Sequence, residues 1–291
     1  LGGSSFETMS RVLNASTDLY GHIQKGCAGD GIVPNLLKKY GYKTYGIFPY
    51  PFCFRGYTSG YDYSVPDKSS SPAHDLMKSI LIGEFIFDVN IGEDPRGTFA
   101  EQKSNVFSEN TEHPKFIYTH VLKPGHSQNS GACAPNDADI KIYDKRLQEA
   151  NLMMKTDVEN LLKNDPGAII IIAGDHGPYL TKNCVGTGTA SVTMDAYDIS
   201  EISRLDIQDR FGTFLAIKWP TQDFEQYDDI TVLQDLFPAI FAYIFEDPEL
   251  LEAKVEPVTI TNSSISNARV IDGIIEGGIH DGEPLFIGEN E

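Results

Sequence analysis

The clearest pattern along the chain is an apolar run, residues 168–173, that ends abruptly at Gly174. Asp165-Pro-Gly167 precedes this run and a Gly-Pro turn follows it. Such a run predicts a strand buried on both faces of a largely parallel sheet. Three further apolar stretches predict strands, at 42–48, 115–122 and 211–219.

Apolar residues at helical spacing alternate with these strands. They predict helices at 6–13, 34–40, 143–163 and 229–244. The polar stretch 181–209 predicts a long loop of the functional or mobile kind. Helices alternating with strands are typical of an α/β layer structure. We therefore expect an α/β domain over residues 1–250, followed by a small β subregion at 251–291 with short strands at 268–276 and 283–288.

Asp175 and His176 stand side by side just beyond the central apolar run. Ligands of open α/β sheets bind beyond the carboxyl ends of the strands. A carboxylate oxygen next to an imidazole nitrogen suits Zn²⁺ or Mn²⁺. The alternative from this stretch alone is that Asp175 caps a turn and His176 is a solvated loop residue.

The hydroxyl side chains near the start of the chain are candidate nucleophiles. Ser4, Ser5 and Thr8 lie where a small-residue turn leads into the first helix. Free N–H groups at a helix start suit an anion or an activated hydroxyl, although a helix-capping role explains such residues equally well. Arg55, in a loop rich in proline and aromatic residues, is a candidate clamp for phosphate or sulfate, or a surface arginine.

Two histidines, His120 and His126, lie near the end of the strand predicted at 115–122. A hydrogen-bonded structural role is the ordinary explanation for a single histidine. Two histidines close to one strand end favour a functional role more strongly.

Charge and cysteine content narrow the function classes. The formal net charge of −19 argues against binding to nucleic acid or an anionic membrane, because either needs a strong basic patch. The four cysteines form no C-x-x-C pair, which fits either free thiols or two disulfides in an oxidising compartment. The chain opens at Leu1 without Met, so we expect a piece of a longer protein.

Taken in order, these motifs resemble the alkaline phosphatase/sulfatase superfamily. They are closest to its branch of lipoteichoic acid synthases, phosphoethanolamine transferases and related sulfatase-like membrane proteins. The matching stretches begin at Gly3-Ser-Ser-Phe-Glu-Thr8, Gly41-Tyr-Lys-Thr-Tyr-Gly46 with Phe54-Arg55, Tyr118, Ala173-Gly-Asp-His-Gly177 and Arg210. The resemblance implies a three-layer α/β/α sandwich around a mostly parallel sheet, and a catalytic domain that lacks its first strand here.

The resemblance also implies roles for individual residues. Ser5 would be the nucleophile, with Ser4 and then Thr8 as substitutes. Asp175, His176 and Ser5 would bind a divalent metal ion, Zn²⁺ or Mn²⁺ first, with Ca²⁺ or Mg²⁺ as other choices. The side chains expected to contact the substrate are Arg55, His126 and His120.

The implied function is transfer of a phosphoglycerol- or phosphoethanolamine-type group to a cell-envelope lipid or glycan. We expect a phospholipid or glycan substrate, no nucleic acid, and an extracytoplasmic domain tethered to a membrane by segments outside this chain. One alternative is a phosphodiesterase or a sulfatase-like hydrolase. The other is a non-catalytic binding domain that keeps the fold without the metal site.

Overall fold

A computed structural model describes residues 5–15, 25–49, 59–65, 98–121, 123–125, 137–181, 198–253 and 268–287. The α-helices are α1 (Ser5–Asn14), α2 (Ile32–Lys39), α3 (Thr98–Ser108), α4 (Asp137–Asn164), α5 (Arg204–Phe211) and α6 (Leu236–Phe245). The strands are β1 (Lys43–Ile47), β2 (Tyr63–Val65), β3 (Lys115–Thr119), β4 (Ile170–Ala173), β5 (Leu215–Lys218), β6 (Arg269–Ile271) and β7 (Ile274–Glu276). None of the helices in these ranges has the length and apolar character needed to cross a membrane.

The strands of the described ranges form a mixed α/β architecture with three sheets. A parallel sheet has the order β2-β1-β3, and in it Tyr45 of β1 lies opposite Tyr63 of β2 and Ile117 of β3. The second sheet pairs β4 with β5, and the third is the β6–β7 hairpin. The parallel strand expected at 42–48 and its neighbour at 115–122 are confirmed, each with slightly shorter bounds.

The environment predicted for the central apolar run is wrong in two respects. The partner of β4 within the described residues is β5, and the two strands are antiparallel. Only Ile170 of β4 is buried, and Ala173 is exposed. The cause is α5, which ends at Phe211 beside the loop that follows β4, so the chain turns at Gly212 and β5 runs back along β4.

Alternate residues of β3 face two different hydrophobic clusters. Phe116 and Tyr118 pack against the larger cluster, which is built mainly on α6 with residues of α1 and α2. Ile117 packs against the smaller cluster, which includes Tyr45 of β1 and Val106 of α3. Because successive side chains of a strand point to opposite faces, helices cover both faces of the parallel sheet.

The predicted helices are all present, with shifted bounds. The helix predicted at 143–163 extends from Asp137 to Asn164, although Leu147, expected on its apolar face, is 37% exposed. The helix predicted at 229–244 begins only at Leu236, after a short 3-10 turn over Leu233–Asp235. The sequence pattern gave no prediction for α3, which packs beside α4 through a 2.5 Å ion pair between Lys103 and Asp157.

Helix α5 begins inside the stretch predicted to be a loop and ends at Phe211, so the strand predicted at 211–219 is shorter than expected and spans Leu215–Lys218. A reciprocal capping box starts the helix: the Ser203 N–H donates to the Asp206 carboxylate at 2.7 Å, and the Asp206 N–H donates to Ser203 Oγ at 3.3 Å. Apolar residues of this region, Ile202 and Ile207, form a buried cluster with Val270 and Ile275 of the hairpin. A small sheet is therefore present and packs on α5, but its strands are not the predicted ones: both β6 and β7 come from the stretch 268–276, and the described part of 283–288 forms only an isolated bridge between Pro284 and Ile274.

Candidate functional site

The loop after β4 carries the Asp-His pair. Its first residue is hydrogen-bonded to the segment just before β5. The Gly174 N–H donates to the Phe214 carbonyl at 2.8 Å, and Thr213 Oγ1 donates to the Gly174 carbonyl at 2.7 Å. These bonds continue the β4–β5 pairing by one residue. They fix the direction in which the chain leaves the sheet just before Asp175.

The rest of the loop is fastened to the end of α5. The N–H groups of Gly177 and Tyr179 donate to the carbonyls of Arg210 and Asp209, at 3.3 and 3.4 Å. The Asp209 carboxylate accepts bonds from the N–H and hydroxyl of Thr181, at 2.8 and 3.1 Å. Burial raises the pKa of Asp209, and these hydrogen bonds offset only part of that effect.

Gly177 is where loop and helix approach most closely. A Cβ atom at this position would lie 1.9 Å from the Asp209 carbonyl oxygen, far inside van der Waals contact. Glycine is therefore the only residue that permits this contact without backbone movement. The sequence Asp-His-Gly thus has a steric reason for its third member.

His176 presents an unprotonated nitrogen to Ser5 when its imidazole is neutral. Its Nδ1 lies 2.9 Å from the Gly177 carbonyl, and because a carbonyl can only accept, Nδ1 carries the hydrogen. The lone pair is then on Nε2, which lies 3.3 Å from Ser5 Oγ and 3.6 Å from an Asp175 carboxylate oxygen. A lone pair in this place can accept the serine hydrogen bond or bind a metal ion.

Asp175 is held in its charged form. Burial tends to raise its pKa, but the positive charges that His176 and His120 can carry and a hydrogen bond from Ser5 outweigh burial and lower the pKa to about 2. The carboxylate also accepts the His176 backbone N–H at 3.1 Å. The site therefore keeps a negative oxygen beside the imidazole across the physiological pH range.

A stack of three side chains fixes the plane of the imidazole. The rings of His176 and Tyr179 are parallel within 1°, with centroids 5.1 Å apart. On Tyr179 the Arg210 guanidinium carbon lies 4.3 Å from the ring centroid. Tyr179 and Arg210 are both buried, so packing on α5 sets the orientation of His176.

The structure brings three of the predicted site residues together, namely Ser5, Asp175 and His176. Ser5 is 5% exposed and Thr8, one turn further along α1, has no exposed surface; both hydroxyls are buried, and Ser5 is the one placed against the Asp-His pair. Three other predicted site residues, Ser4, Arg55 and His126, lie outside the described residues.

His120 lies at the edge of the same site. Burial lowers its pKa, the Asp175 carboxylate raises it, and His176 lowers it further. Its neighbour Tyr118 has a pKa raised well above the usual value by burial, with smaller contributions from Tyr61 and Asp175. The Tyr118 hydroxyl lies 3.9 Å from the sulfur of Cys27, which is disulfide-bonded. Tyr118 and His120, at the carboxyl end of β3, are thus close enough to Asp175 for its charge to affect their pKa values.

The donor set fits a divalent metal ion in part. Asp175 offers a carboxylate oxygen, His176 a nitrogen lone pair and Ser5 a hydroxyl oxygen, which are ligand types that Zn²⁺ and Mn²⁺ accept. In the described ranges, however, no group of three His, Cys, Asp or Glu side chains is placed to hold a metal ion. Asp175 and His176 would therefore supply two ligands, and the rest would come from Ser5, solvent or residues outside those ranges.

Sequence reasoning missed Tyr179, Asp209 and Arg210, which position the Asp-His pair without belonging to it. One signal was available: Ser203 followed three residues later by Asp206, just ahead of apolar Ile207, is a helix-start pattern. It indicates a helix that ends close to residue 211, next to the strand that pairs with β4. No protein-family model, curated protein or solved structure matches this chain.

Proposed function

We propose that the chain is a metal-dependent phosphotransferase or hydrolase that acts on phosphate esters, with Ser5 as its nucleophile. The observation that carries this proposal is the 3.3 Å approach of Ser5 Oγ to the Nε2 lone pair of His176, with Asp175 beside it. A serine hydroxyl is a weak nucleophile until a neighbouring base or metal ion activates it. Here the single Nε2 lone pair of His176 faces the hydroxyl; it can act either as a base or, with Asp175, as a metal ligand, and the proposal assigns it to the metal ion.

The residues divide the chemistry between them. Asp175 and His176 would hold the metal ion, which when bound lowers the pKa of the Ser5 hydroxyl and neutralises charge on the phosphoryl oxygens. Ser5 Oγ would give up its proton to solvent and form a bond to phosphorus as the bond to the departing alkoxide breaks, and the alkoxide would take a proton from solvent to leave as an alcohol. The phosphoryl group, with any ester group it still carries, is then on Ser5. Attack on phosphorus by a second alcohol or by water, which loses its proton, breaks the bond to Oγ; Oγ takes up a proton, and transfer or hydrolysis is complete.

We further propose the alkaline-phosphatase-like arrangement, a three-layer α/β/α sandwich, for the whole chain. Helical cover on both faces of the parallel sheet supports it, as does an Asp-His pair directly after a strand. An extracytoplasmic location is supported by the disulfide at Cys27, because disulfides persist in oxidising compartments. The proposed substrate is a phosphate-containing lipid or cell-envelope glycan, and the membrane tether would lie outside this chain.

The first test is metal content by mass spectrometry on the purified chain incubated with Zn²⁺ or Mn²⁺, beside Asp175→Ala. We expect about one bound ion in the parent, since one site is proposed, and a clear loss in the variant. Equal metal content in both proteins would remove Asp175 from the site. Binding of a phosphodiester without any bound metal would favour a non-catalytic binding domain.

The second test is turnover of bis(p-nitrophenyl) phosphate by the metal-loaded chain and by Ser5→Ala. Loss of the nucleophile should lower kcat by roughly 10³-fold or more. Mass spectrometry of the quenched parent should place a p-nitrophenylphosphoryl group on the peptide that contains Ser5. An active Ser5→Ala variant, or this group on another residue, would contradict the assignment. An added alcohol acceptor separates the two activities, because only a transferase gives the alkyl p-nitrophenyl phosphate product.

A further inference from the structure

A cleft of about 520 Å³ lies beside Asp175, between the β6–β7 hairpin and the segment that leads into α6. Its walls include buried apolar residues from three parts of the chain, Leu233, Val270 and Leu285. Two more apolar residues at its edge, Ile274 and Phe286, are 40% and 60% exposed. A cleft of this size accommodates a group as large as a small organic ligand.

The charges around the cleft are of one sign. Among the described residues that line it, Asp175 and Asp272 are the charged ones, and no lysine or arginine is present. Two carboxylates in a partly apolar cleft repel a phosphate or sulfate group. The cleft therefore disfavours an anionic group, and the phosphoryl group would lie beyond its end, at Ser5.

Gln234 adds an unsatisfied polar group to the wall of the cleft. Its side chain is 1% exposed, and neither amide atom has a hydrogen-bond partner among the residues that the structure describes. Buried amides are almost always paired, so an unpaired one indicates a missing partner. The amide is covered in this structure, so pairing with a ligand hydroxyl requires a change in its side-chain torsion.

We propose that this cleft binds the alcohol part of the substrate, a group without negative charge that combines apolar surface with at least one hydroxyl. The inference rests on the proposed function, because it assumes a phosphate ester whose phosphorus lies next to Ser5. Asp175 belongs to both the cleft and the proposed catalytic site, since it lines the cleft and also contacts His176. Gln234 is then a specificity-determining residue that pairs with a hydroxyl, and the apolar walls hold the carbon skeleton.

Calorimetric titration of the whole chain, without added metal, tests the cleft separately from catalysis. The probes are hexyl β-D-glucoside and hexane-1-sulfonate, which share an alkyl chain and differ in the neutral or anionic head. We expect the glucoside to bind at least about tenfold more tightly than the sulfonate, because the carboxylates disfavour an anion. Asp272→Asn should narrow this difference, and asparagine tolerates the φ of +49° at that position.

Two further variants locate the binding. Phe286→Ala removes an exposed apolar wall and should weaken both probes about equally. Gln234→Leu should weaken the glucoside alone, and it should raise the melting temperature because it removes an unsatisfied amide. A merely structural Gln234 would change the melting temperature without changing the preference between the probes.

The proposal is overturned if the parent binds both probes equally or binds neither. It is also overturned if Phe286→Ala and Asp272→Asn leave both affinities unchanged. These two residues are exposed, so the test stands even if Gln234→Leu does not fold. The titration requires neither metal nor turnover, so failure of the Ser5 and metal tests would leave a positive binding result standing, and failure of both probes to bind would leave the Ser5 tests standing.

Discussion

The two histidines that lie just past strand ends, His176 after β4 and His120 after β3, differ in how the chain holds them. Both follow an apolar strand and both were candidates for the same site. His176 has its tautomer set by the Gly177 carbonyl and its ring plane set by Tyr179. His120 is partly buried at the edge of the site and interacts with Asp175 through charge.

This difference shows that the position of a histidine after a strand does not decide its chemical role. The role depends on which nitrogen is left with a lone pair and on what that lone pair faces. For His176, the hydrogen bonds and the ring stack between loop 174–181 and α5 determine both the tautomer and the direction of the lone pair. Substitutions that disrupt these contacts should therefore change the position of His176 while leaving His120 in place.

Gly177→Ala should have the largest effect on stability, because the new Cβ would overlap the Asp209 carbonyl oxygen. Separating loop from helix should lower the free energy of unfolding by about 3 kcal/mol or more and abolish turnover. Urea unfolding of the two proteins measures the change.

Gly174→Ala is the matched control in the same loop, since its nearest non-neighbour atoms would be 3.5 Å from the added Cβ. It should cost less than about 1 kcal/mol, as expected for ordinary van der Waals contact. Equal losses from the two variants would mean that the close approach at Gly177 does not hold the loop.

Much of the fold could be predicted from local patterns. The apolar runs located β1, β3 and β4, and helical spacing located α1, α2 and α4, because these signals depend on residues close in sequence. The antiparallel partner of β4 could not be predicted from periodicity, because strand direction depends on where the connecting chain returns. Helix α5 determines where the chain returns to the sheet, and the polar composition of residues 181–209 gave no indication of a helix there.

In the candidate site, too, local sequence patterns indicated some residues and not others. Residue type and position in the chain indicated Asp175 and His176 and left Ser4, Ser5 and Thr8 as alternative nucleophiles; the choice of Ser5 came from the family resemblance. The residues that orient the Asp-His pair, Tyr179 and Arg210, act through stacking between segments about thirty residues apart. A stack of that kind has no local sequence signature, since either residue alone looks like an ordinary aromatic or basic residue.

Tyr179→Leu should have an intermediate effect by removing the ring between His176 and Arg210. We expect a loss of about 2 kcal/mol from the buried ring and its cation–π contact, and turnover lowered about tenfold or more because the imidazole loses its orientation. Tyr179→Phe keeps the ring and should retain most of both quantities. If the leucine and phenylalanine variants lose stability and turnover to the same extent, the Tyr179 hydroxyl rather than the stacked ring is responsible for the effect.

His120→Gln should have the smallest effect, and it should appear in the pH dependence of stability. Burial lowers the pKa of His120 in the folded chain below the ordinary 6.5, against the opposing effect of Asp175. Below pH 6.5 the unfolded chain therefore binds a proton that the folded chain resists, and this cost grows as the pH falls toward the folded pKa. Above pH 6.5 both states are neutral and the cost is absent.

Urea unfolding between pH 7.5 and 5, with EDTA present to remove metal ions, measures this effect. Parent stability should fall with decreasing pH, with a contribution from His120 of at most about 1.4 kcal/mol per pH unit, the limit for one proton. His120→Gln should make the decline shallower. A decline of equal slope in parent and variant would show that His120 titrates alike in the folded and unfolded chain. The burial at the end of β3 would then not disfavour its charge, and the contrast with His176 would rest on the fastening of the loop alone.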